Sequence, residues 1–241
     1  MGYPADEPAG NGGVDYATRT LDWPNATVMS SDAVEVVARL KEESRTFAPG
    51  AREDTMRTLA ITENITVDGS IEMLKDWFDP KRQGDIDMDD VLEEQQRQSK
   101  EADALLVGRR TFEAFREYWP RQIDDTTGIS SYLNQVQKYV VSSTLTDPAW
   151  ANTTVLSGDP VEKVAALKHG AGNDIVLTGS ITLAHALIEA GLVDEYRLFA
   201  YPTVQGSGRR LFPDGYEVSR LRLLDSKAFR SGIVLQRYAR G

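Results

Sequence analysis

The chain has 241 residues, 41% of them apolar, which suits one substantial domain with an appended segment. Its formal net charge is −10 and its basic residues are scattered, which argues against a nucleic-acid-binding protein. It contains no cysteine and only two histidines, so disulfides, thiolate chemistry and metal sites rich in cysteine or histidine are excluded.

The sequence also lacks the usual signals for membrane insertion or export. No apolar run approaches the roughly 20 residues that a membrane-spanning helix needs. The N-terminus is polar, without the basic and then apolar order of a signal peptide. We therefore expect a cytoplasmic protein with no membrane partner.

The first 55 residues predict an appendage to the main domain. Residues 1–15 are polar and rich in Gly and Pro, which is typical of a disordered tail. Residues 16–55 predict a strand–helix segment followed by a linker. The main domain is predicted to cover residues 56–241.

Part of the appended segment is an internal repeat of the region around residues 139–168. Residues 23–41 align without gaps on residues 150–168, with twelve of nineteen positions identical. One explanation is a partial gene duplication with no structural role. The other is an extra strand–helix unit that docks on a sheet edge or on a partner subunit, because a single strand and helix cannot bury their own apolar face.

The main domain alternates predicted strands and helices. The strands are predicted at Arg57–Thr66, Ala104–Val107, Tyr139–Ser142, Thr153–Leu156, Asp174–Leu177, Glu195–Tyr201, Arg220–Phe229 and Ile233–Ala239. The helices are predicted at Met88–Lys100, Thr111–Tyr118, Val161–Lys168, with Asp159 as its N-cap, and Ile181–Ala190. This order predicts an α/β fold with a mainly parallel sheet, closed by an antiparallel hairpin at the C-terminus.

Three of these strands end in the same way, with small or hydroxylated residues and a helix or turn directly after them. They span Leu105–Thr111, Tyr139–Thr144 and Ile175–Ser180. Ligands of open α/β sheets lie outside the carboxyl ends of the strands, and exposed N–H groups at a helix N-terminus favour phosphate. We therefore expect a ligand site where these three strands end.

The residue types at these strand ends suit a phosphate ligand. Gly108 and Gly179 allow close approach of the backbone, and Arg109 and Arg110 add fixed positive charge. Hydroxyl groups come from Ser142, Ser143 and Thr144. Together they predict a site for a pyrophosphate and one further phosphate, which describes NADPH better than NADH.

Three longer blocks of sequence carry a family resemblance. They are DALLVGRRTFEAFREYWP (Asp103–Pro120), KYVVSSTL (Lys138–Leu145) and LTGSITLAHALIEAGLVDEYRLFAYPTVQGSGRRLF (Leu177–Phe212). They resemble the dihydrofolate reductase superfamily, in particular a bacterial branch similar to the C-terminal reductase domain of the riboflavin-biosynthesis deaminase/reductase. The resemblance runs from Met56 to about Arg240.

The resemblance implies both a fold and an activity. The fold is the dihydrofolate-reductase-like α/β fold, with a central sheet between helices on both faces. The activity is NADPH-dependent hydride transfer to a small heterocyclic (pterin- or pyrimidine-like) or related carbonyl or imine substrate. The natural substrate is left open, as is a non-catalytic nucleotide-binding or interaction role on the same scaffold.

The resemblance also implies which residues contact NADPH. Gly108, Arg109 and Thr111 match the family's Gly-Arg-x-Thr segment at a helix start. Ser142 and Ser143 match the segment that meets the adenosine 2′-phosphate, although many relatives in this branch carry arginine at the second position. These two segments would hold the phosphates.

Three further segments complete the implied cofactor site. Gly179 and Ser180 match the step beneath the pyrophosphate. Ala60 and Ile61 match the place where the nicotinamide amide meets the backbone. The late glycine-rich loop at the mouth of the site is matched by Gly206, Ser207 and Gly208.

The substrate side departs from the pattern of true dihydrofolate reductases. These carry a carboxylate on the helix after the first strand, three residues before a Trp-Phe pair. Trp77-Phe78 is present here, but the corresponding position is Leu74, with Glu72 and Asp76 out of register. We therefore do not expect folate reduction.

The sequence offers several candidate residues for the proton donor and for the substrate pocket. The donor candidates are a water molecule or one of the side chains Asp68, Asp76 and Glu113. The substrate pocket is predicted between the first strand, Trp77 and Trp119, and its candidate residues are Asn64, Trp77 and Trp119. Two of these acids also have a structural interpretation, since Asp68 suits a turn and Asp76 suits a solvated helix face.

Two expectations concern metals and partners. The zinc deaminase half of the bifunctional riboflavin enzyme needs cysteine ligands, which this chain lacks, so no metal site is expected. The expected partners are a small-molecule substrate and a second copy of the chain in a homodimer.

Overall fold

The structure is a computed structural model of the chain. It describes residues 56–74, 77, 86–218 and 220–240. The tail, the appended segment with its copy of the repeat, and the candidate donor Asp76 all lie outside the described residues.

Within these residues, eight strands and five α-helices alternate. The strands are β1 (Leu59–Thr66), β2 (Ala102–Gly108), β3 (Gln137–Val141), β4 (Thr153–Leu156), β5 (Asp174–Leu177), β6 (Glu195–Tyr201), β7 (Leu221–Ala228) and β8 (Val234–Arg240). The helices are α1 (Asp89–Glu101), α2 (Arg109–Tyr118), α3 (Ile129–Gln135), α4 (Pro160–Lys168) and α5 (Ile181–Glu189). Every predicted element is present, and α3 is an addition.

The strands form one sheet in the order β4-β3-β2-β5-β1-β6-β8-β7. The first six are parallel, β8 runs antiparallel to β6, and β7 runs antiparallel to β8. The prediction of a mainly parallel sheet closed by an antiparallel hairpin is confirmed. Because parallel strands end on the same side, the ends of β1, β2, β3, β5 and β6 share one edge, which we call the carboxyl edge.

The sheet is buried on both faces. On one face Ile61 and Leu177 pack in a cluster with Leu187 of α5 and Val164 of α4. The other face carries two clusters, one around Phe199 that includes Val91 of α1, and one around Phe112 that includes Leu133 of α3. The predicted three layers, with helices on both sides of the sheet, are confirmed.

Among the described residues after β1, the first α-helix is α1, which begins at Asp89. Trp77 lies before it, in a 3-10 turn. Leu74 is exposed, and the absence of a carboxylate at its position stays an observation of the sequence. The acidic side chains Asp90 and Glu94 lie on α1 itself.

The edge strand β7 is the most exposed strand of the sheet. All of its residues after Leu221 are exposed, including the apolar Leu223 and Leu224. Exposed sheet edges are where a further strand can add, and natural edges also carry charges and bulges that prevent it. The homodimer therefore stays a prediction.

The start of α4 offers a test of the local sequence signals. Asp159 accepts a hydrogen bond from the backbone N–H of Glu162 at 2.9 Å, and Pro160 occupies the first helical position. We expect Asp159→Ala to lower the free energy of unfolding by about 1 kcal/mol, measured by urea denaturation. The control Asp214→Ala, at an exposed turn residue, should change it by less than about 0.5 kcal/mol, and equal losses would contradict the capping role.

Candidate active site

The carboxyl ends of β2 and β5 meet in a hydrogen-bonded junction. The backbone N–H of Gly108 donates to the Ser180 hydroxyl oxygen at 2.8 Å. The Ser180 hydroxyl and backbone N–H both donate to Thr111 Oγ1, at 2.9 and 3.1 Å. Two segments that the sequence predicts to share a ligand thus lie in contact, and we call Gly108, Thr111, Gly179 and Ser180 the strand-end junction.

The backbone of the junction is held in an uncommon conformation. Gly179 and Ser180 have successive positive φ angles of 58° and 55°. Such a conformation costs a residue with a side chain about 1–2 kcal/mol, so the hydrogen bonds of Ser180 must hold it in place. A Cβ atom at Gly179 would lie 3.2 Å from Thr111 Cγ2, so a side chain there would force Thr111 or the turn to shift by a few tenths of an ångström.

Two helices begin directly at the junction. α2 starts after Gly108 and α5 starts with Ser180 as its N-cap, and neither cap residue uses its side chain to bond the first-turn N–H groups. Free N–H groups at a helix start carry partial positive charge and bind phosphate. The junction therefore presents two such starts on the same edge of the sheet.

The arginines at the start of α2 add positive charge to the junction. Arg110 is exposed, and Arg109 forms an ion pair with Glu113 at 2.9 Å, one turn along the helix. Both side chains of the pair are more than a third exposed, so the pair is weak and Arg109 can exchange it for a ligand phosphate. The donor role of Glu113 stays a prediction.

The end of β3 lies beside the end of β2, since Gly108 is the register partner of Val141. Ser142 is buried, and its hydroxyl accepts hydrogen bonds from the backbone N–H groups of Thr144 and Leu145, at 3.2 and 2.9 Å. The side chains of Ser143 and Thr144 are exposed. Ser142 therefore shapes this turn, whereas the next two hydroxyls are open to a ligand.

The register of β1 bears on the predicted nicotinamide contact. Ala60 and Ile61 are fully buried and paired with both neighbouring strands, β5 and β6. The residues from Thr62 onwards pair with β6, and β5 has already ended at Leu177. Beyond the end of β5, the open side of the β1 backbone lies at Thr62–Ile65, and the nicotinamide contact at Ala60 and Ile61 stays a prediction.

Asp68 holds the turn after β1 to the late glycine-rich loop. The Thr66 hydroxyl donates to Asp68 at 2.6 Å, and the backbone N–H groups of Gly206 and Gln205 donate at 2.7 and 3.1 Å. These bonds, led by that from Thr66, lower the pKa of the Asp68 carboxyl to about 2. The group is ionised at neutral pH, so this arrangement gives no support to Asp68 as the proton donor.

The glycine-rich loop is also fixed from beneath by Gln205. Its buried side-chain amide donates to the Ser70 hydroxyl and to the Ser207 carbonyl, both at 2.9 Å. Its amide oxygen accepts from Trp77 Nε1 at 2.8 Å. Gly206 and Ser207 are exposed, as expected for residues at the mouth of a site.

The three substrate candidates lie in different places. Trp77 is 9% exposed and packs edge-on against Tyr201 in the Phe199 cluster. Trp119 packs on the Phe112 cluster and follows the ten residues of α2, about 15 Å along the helix axis from its start. Asn64 is the register partner of Phe199 on the α1 face of β1. Their roles in a substrate pocket stay predictions.

The comparison with known proteins settles the family. The model of the RibD C-terminal domain family matches residues 57–235. The chain belongs to the RibD C-terminal domain family. Membership implies a reductase-like enzyme and agrees with the resemblance found in the sequence. The uncharacterized protein YyaP of Bacillus subtilis is 32% identical over 186 residues, which cover 74% of this chain and 92% of YyaP.

Solved structures show the fold shared by this RibD C-terminal-type chain. A Shewanella sp. PV-4 protein named for riboflavin biosynthesis superposes with a TM-score of 0.57 at 18% identity, covering 76% of this chain and 99% of that one. A pyrimidine reductase-like protein from Corynebacterium diphtheriae superposes with a TM-score of 0.52, also at 18% identity, covering 76% and 91%. At these identities the likeness is one of fold.

Two acidic side chains of the RibD C-terminal-type domain were missed by the sequence analysis. Glu63 is buried beside the Gly179 turn, and the signal was its place on the inward face of β1, in step with Leu59 and Ile61. Asp90 lies in the first turn of α1, with Oδ2 accepting from the Arg230 backbone N–H at 3.0 Å and Oδ1 buried without a hydrogen bond. Both carboxyl groups lie towards the carboxyl edge.

Neither a metal site nor a membrane-spanning helix is found in the part of the chain that the structure describes. Residues 56–74, 77, 86–218 and 220–240 contain no group of three or more histidine or acidic side chains that could hold a metal ion. No helix among the same residues is long and apolar enough to cross a membrane.

Proposed function

We propose that this chain is an NADPH-dependent reductase that transfers hydride to a small pterin- or pyrimidine-like heterocycle, or to a related carbonyl or imine substrate. The strand-end junction carries the proposal, because it combines two helix starts with a glycine whose Cβ would crowd Thr111, and two arginines lie at the start of α2 beside it. The name of the Corynebacterium structure, a pyrimidine reductase-like protein, supports a substrate of the pyrimidine type.

The residues at the junction fit the pyrophosphate of a dinucleotide. The first-turn N–H groups of α2 and α5 supply donors, and Arg109 and Arg110 supply charge. Gly179 has no side chain, so its backbone can approach a phosphate closely. A Cβ there would also crowd Thr111 of the neighbouring segment. The bound nicotinamide supplies the hydride, and the protein supplies binding and orientation.

The preference for NADPH is assigned to the turn after β3. Ser143 and Thr144 expose their hydroxyls beside the end of β2, where Arg110 is also exposed. Hydroxyl groups and a nearby guanidinium suit a phosphate monoester such as the adenosine 2′-phosphate. These residues should therefore distinguish NADPH from NADH.

The substrate side is assigned to the α1 face of β1. Thr62 and Asn64 point to this face beyond the end of β5, and Asp90 lies at the start of the helix that covers it. The buried Oδ1 atom of Asp90 has no hydrogen bond, so Asp90 is the first side chain to test as a proton donor, with a water molecule as the alternative. We place the enzyme in the cytoplasm, in keeping with its small-molecule chemistry.

A titration of the full chain with NADPH and NADH, followed by quenching of tryptophan fluorescence, tests the proposal. We expect micromolar affinity for NADPH and much weaker binding of NADH. Arg109→Ala should weaken NADPH binding roughly tenfold or more, because a hydrogen bond to a charged group contributes about 1.5–3 kcal/mol. The control Arg222→Ala, at an exposed position on β7, should leave the affinity unchanged.

Each other outcome has a definite meaning. Failure to bind either nucleotide would overturn the reductase proposal. Tight NADPH binding without oxidation by any heterocycle or imine offered would instead support a non-catalytic nucleotide-binding protein.

A further inference from the structure

Glu63 is an acidic side chain in the centre of an apolar layer. It is 3% exposed, and it shares the inward face of β1 with Leu59 and Ile61, which pack against α4 and α5. Its Oε1 atom is buried without a hydrogen bond. Burial raises the pKa of the Glu63 carboxyl well above its ordinary value of 4.5.

Such a group is unfavourable for stability. A buried polar atom without a partner costs free energy, and an apolar side chain of the same size would fill the space without that cost. Buried polar groups without a full set of hydrogen bonds are most often found at functional sites. The residues around Glu63 indicate what its role is.

The carboxyl group of Glu63 adjoins the turn of the strand-end junction. Beyond Ile61, β1 has no further partner on β5, because the chain of β5 turns away through Gly179 and Ser180. The Gly179 backbone N–H bonds the Glu63 carboxyl and offsets part of the effect of burial on its pKa. Glu63 is therefore the contact that joins this turn to β1.

The hydrogen bonds of Ser180 connect the turn to β2 and α2, on the side away from β1. The Ser180 hydroxyl accepts from the Gly108 N–H of β2, and the Ser180 hydroxyl and backbone N–H both donate to Thr111 of α2. The left-handed turn is thus held between two strands, by Thr111 on the side of β2 and by Glu63 on the side of β1. A conformation that is uncommon for serine needs such support from its surroundings.

We propose that Glu63 is a positioning residue of the cofactor site, whose carboxyl holds the Gly179–Ser180 turn so that the start of α5 faces the cofactor phosphates. This inference rests on the proposed function. It adds a residue from the buried side of the sheet that does not touch the cofactor and acts through the Gly179 N–H.

Two variants separate positioning from simple packing. Glu63→Gln retains a side-chain oxygen that can accept the Gly179 N–H, and Glu63→Met retains the volume but has only a thioether sulfur, a weak acceptor. For each full-length variant we would measure NADPH affinity, the free energy of unfolding, and the amide hydrogen exchange of Gly179 and Ser180.

The positioning role predicts opposite effects on stability and on binding. Glu63→Met should be as stable as the wild type or more stable, yet bind NADPH about tenfold more weakly and exchange the two turn amides faster. Glu63→Gln should stay within about threefold of the wild-type affinity. A Glu63→Met variant with unchanged affinity, or one whose loss of binding simply follows a loss of stability, would overturn the proposal.

Failure of the proposed function is distinguishable from failure of this inference. If the wild type binds no nicotinamide nucleotide, the cofactor assignment falls, and hydrogen exchange alone decides the role of Glu63. Faster exchange at Gly179 and Ser180 in a stably folded Glu63→Met variant would support a residue that positions the turn. Unchanged exchange would overturn it.

Discussion

Arg197→Ala should lower the free energy of unfolding by about 3–5 kcal/mol, the cost of breaking a buried ion pair by removing one partner. Arg197 is 1% exposed, and its guanidinium donates to Asp174 at 2.6 Å and to Glu195 at 3.0 Å. Burial acts to raise the pKa of Glu195, yet hydrogen bonds from Arg197 and Arg237 outweigh it and the pKa is lowered. The variant would remove the ion pairs that the buried Glu195 and the partly buried Asp174 make with Arg197.

Denaturation by guanidinium chloride at neutral pH measures this effect. The matched control is Arg230→Ala, which removes an arginine paired with Asp87 at 2.6 Å where both side chains are about half exposed. Exposed pairs of this kind contribute up to about 1 kcal/mol. Similar losses in the free energy of unfolding for the two variants would contradict a special contribution of the buried Arg197 ion pairs to stability.

Gly179→Ala should weaken NADPH binding roughly tenfold or more while leaving the chain folded. The new Cβ would lie 3.2 Å from Thr111 Cγ2 and 3.3 Å from Thr111 Oγ1, the atom that accepts both hydrogen bonds from Ser180. Thr111 or the turn must shift, and the first N–H groups of α5 shift with it. A phosphate bound by those groups would lose its geometry.

The control for this variant is Gly215→Ala. Gly215 also has a positive φ, 76°, but a Cβ there would meet no atom within 4 Å. Both variants therefore incur the backbone strain of about 1–2 kcal/mol, and only Gly179→Ala disturbs the junction. Comparable NADPH affinities for the two, measured by fluorescence titration, would remove the junction from the cofactor site.

Much of the fold was predictable from local patterns. The short apolar strands Thr153–Leu156, Asp174–Leu177 and Glu195–Tyr201 have the predicted bounds, because turn residues or a proline mark where each one ends. The helix Ile129–Gln135 was missed, since it has only seven residues and buries just Ser130 and Leu133. So short a helix carries too little periodicity to be recognised in the sequence.

The site was predictable only in part. The strand ends that share an edge follow from topology, so Gly108 and Gly179 could be brought together on the sequence alone. The bond from Ser180 to Thr111 and the pairing of Arg109 with Glu113 depend on side-chain geometry that no local pattern contains. Glu63 was overlooked because acidic residues are expected at the surface, although its strand position placed it inside.

The position of β1 in the sheet determines the order in which the protein can fold. β1 leaves the ribosome before the other strands of the sheet, yet its neighbours are β5 and β6, which are synthesised after β2, β3 and β4. Pairing across such long stretches of chain is slow, because the intervening chain must lose conformational entropy before the favourable contacts between the strands can form. The nascent chain must therefore carry an apolar strand unpaired until most of the domain has been translated, and chaperone binding during synthesis should concentrate on β1.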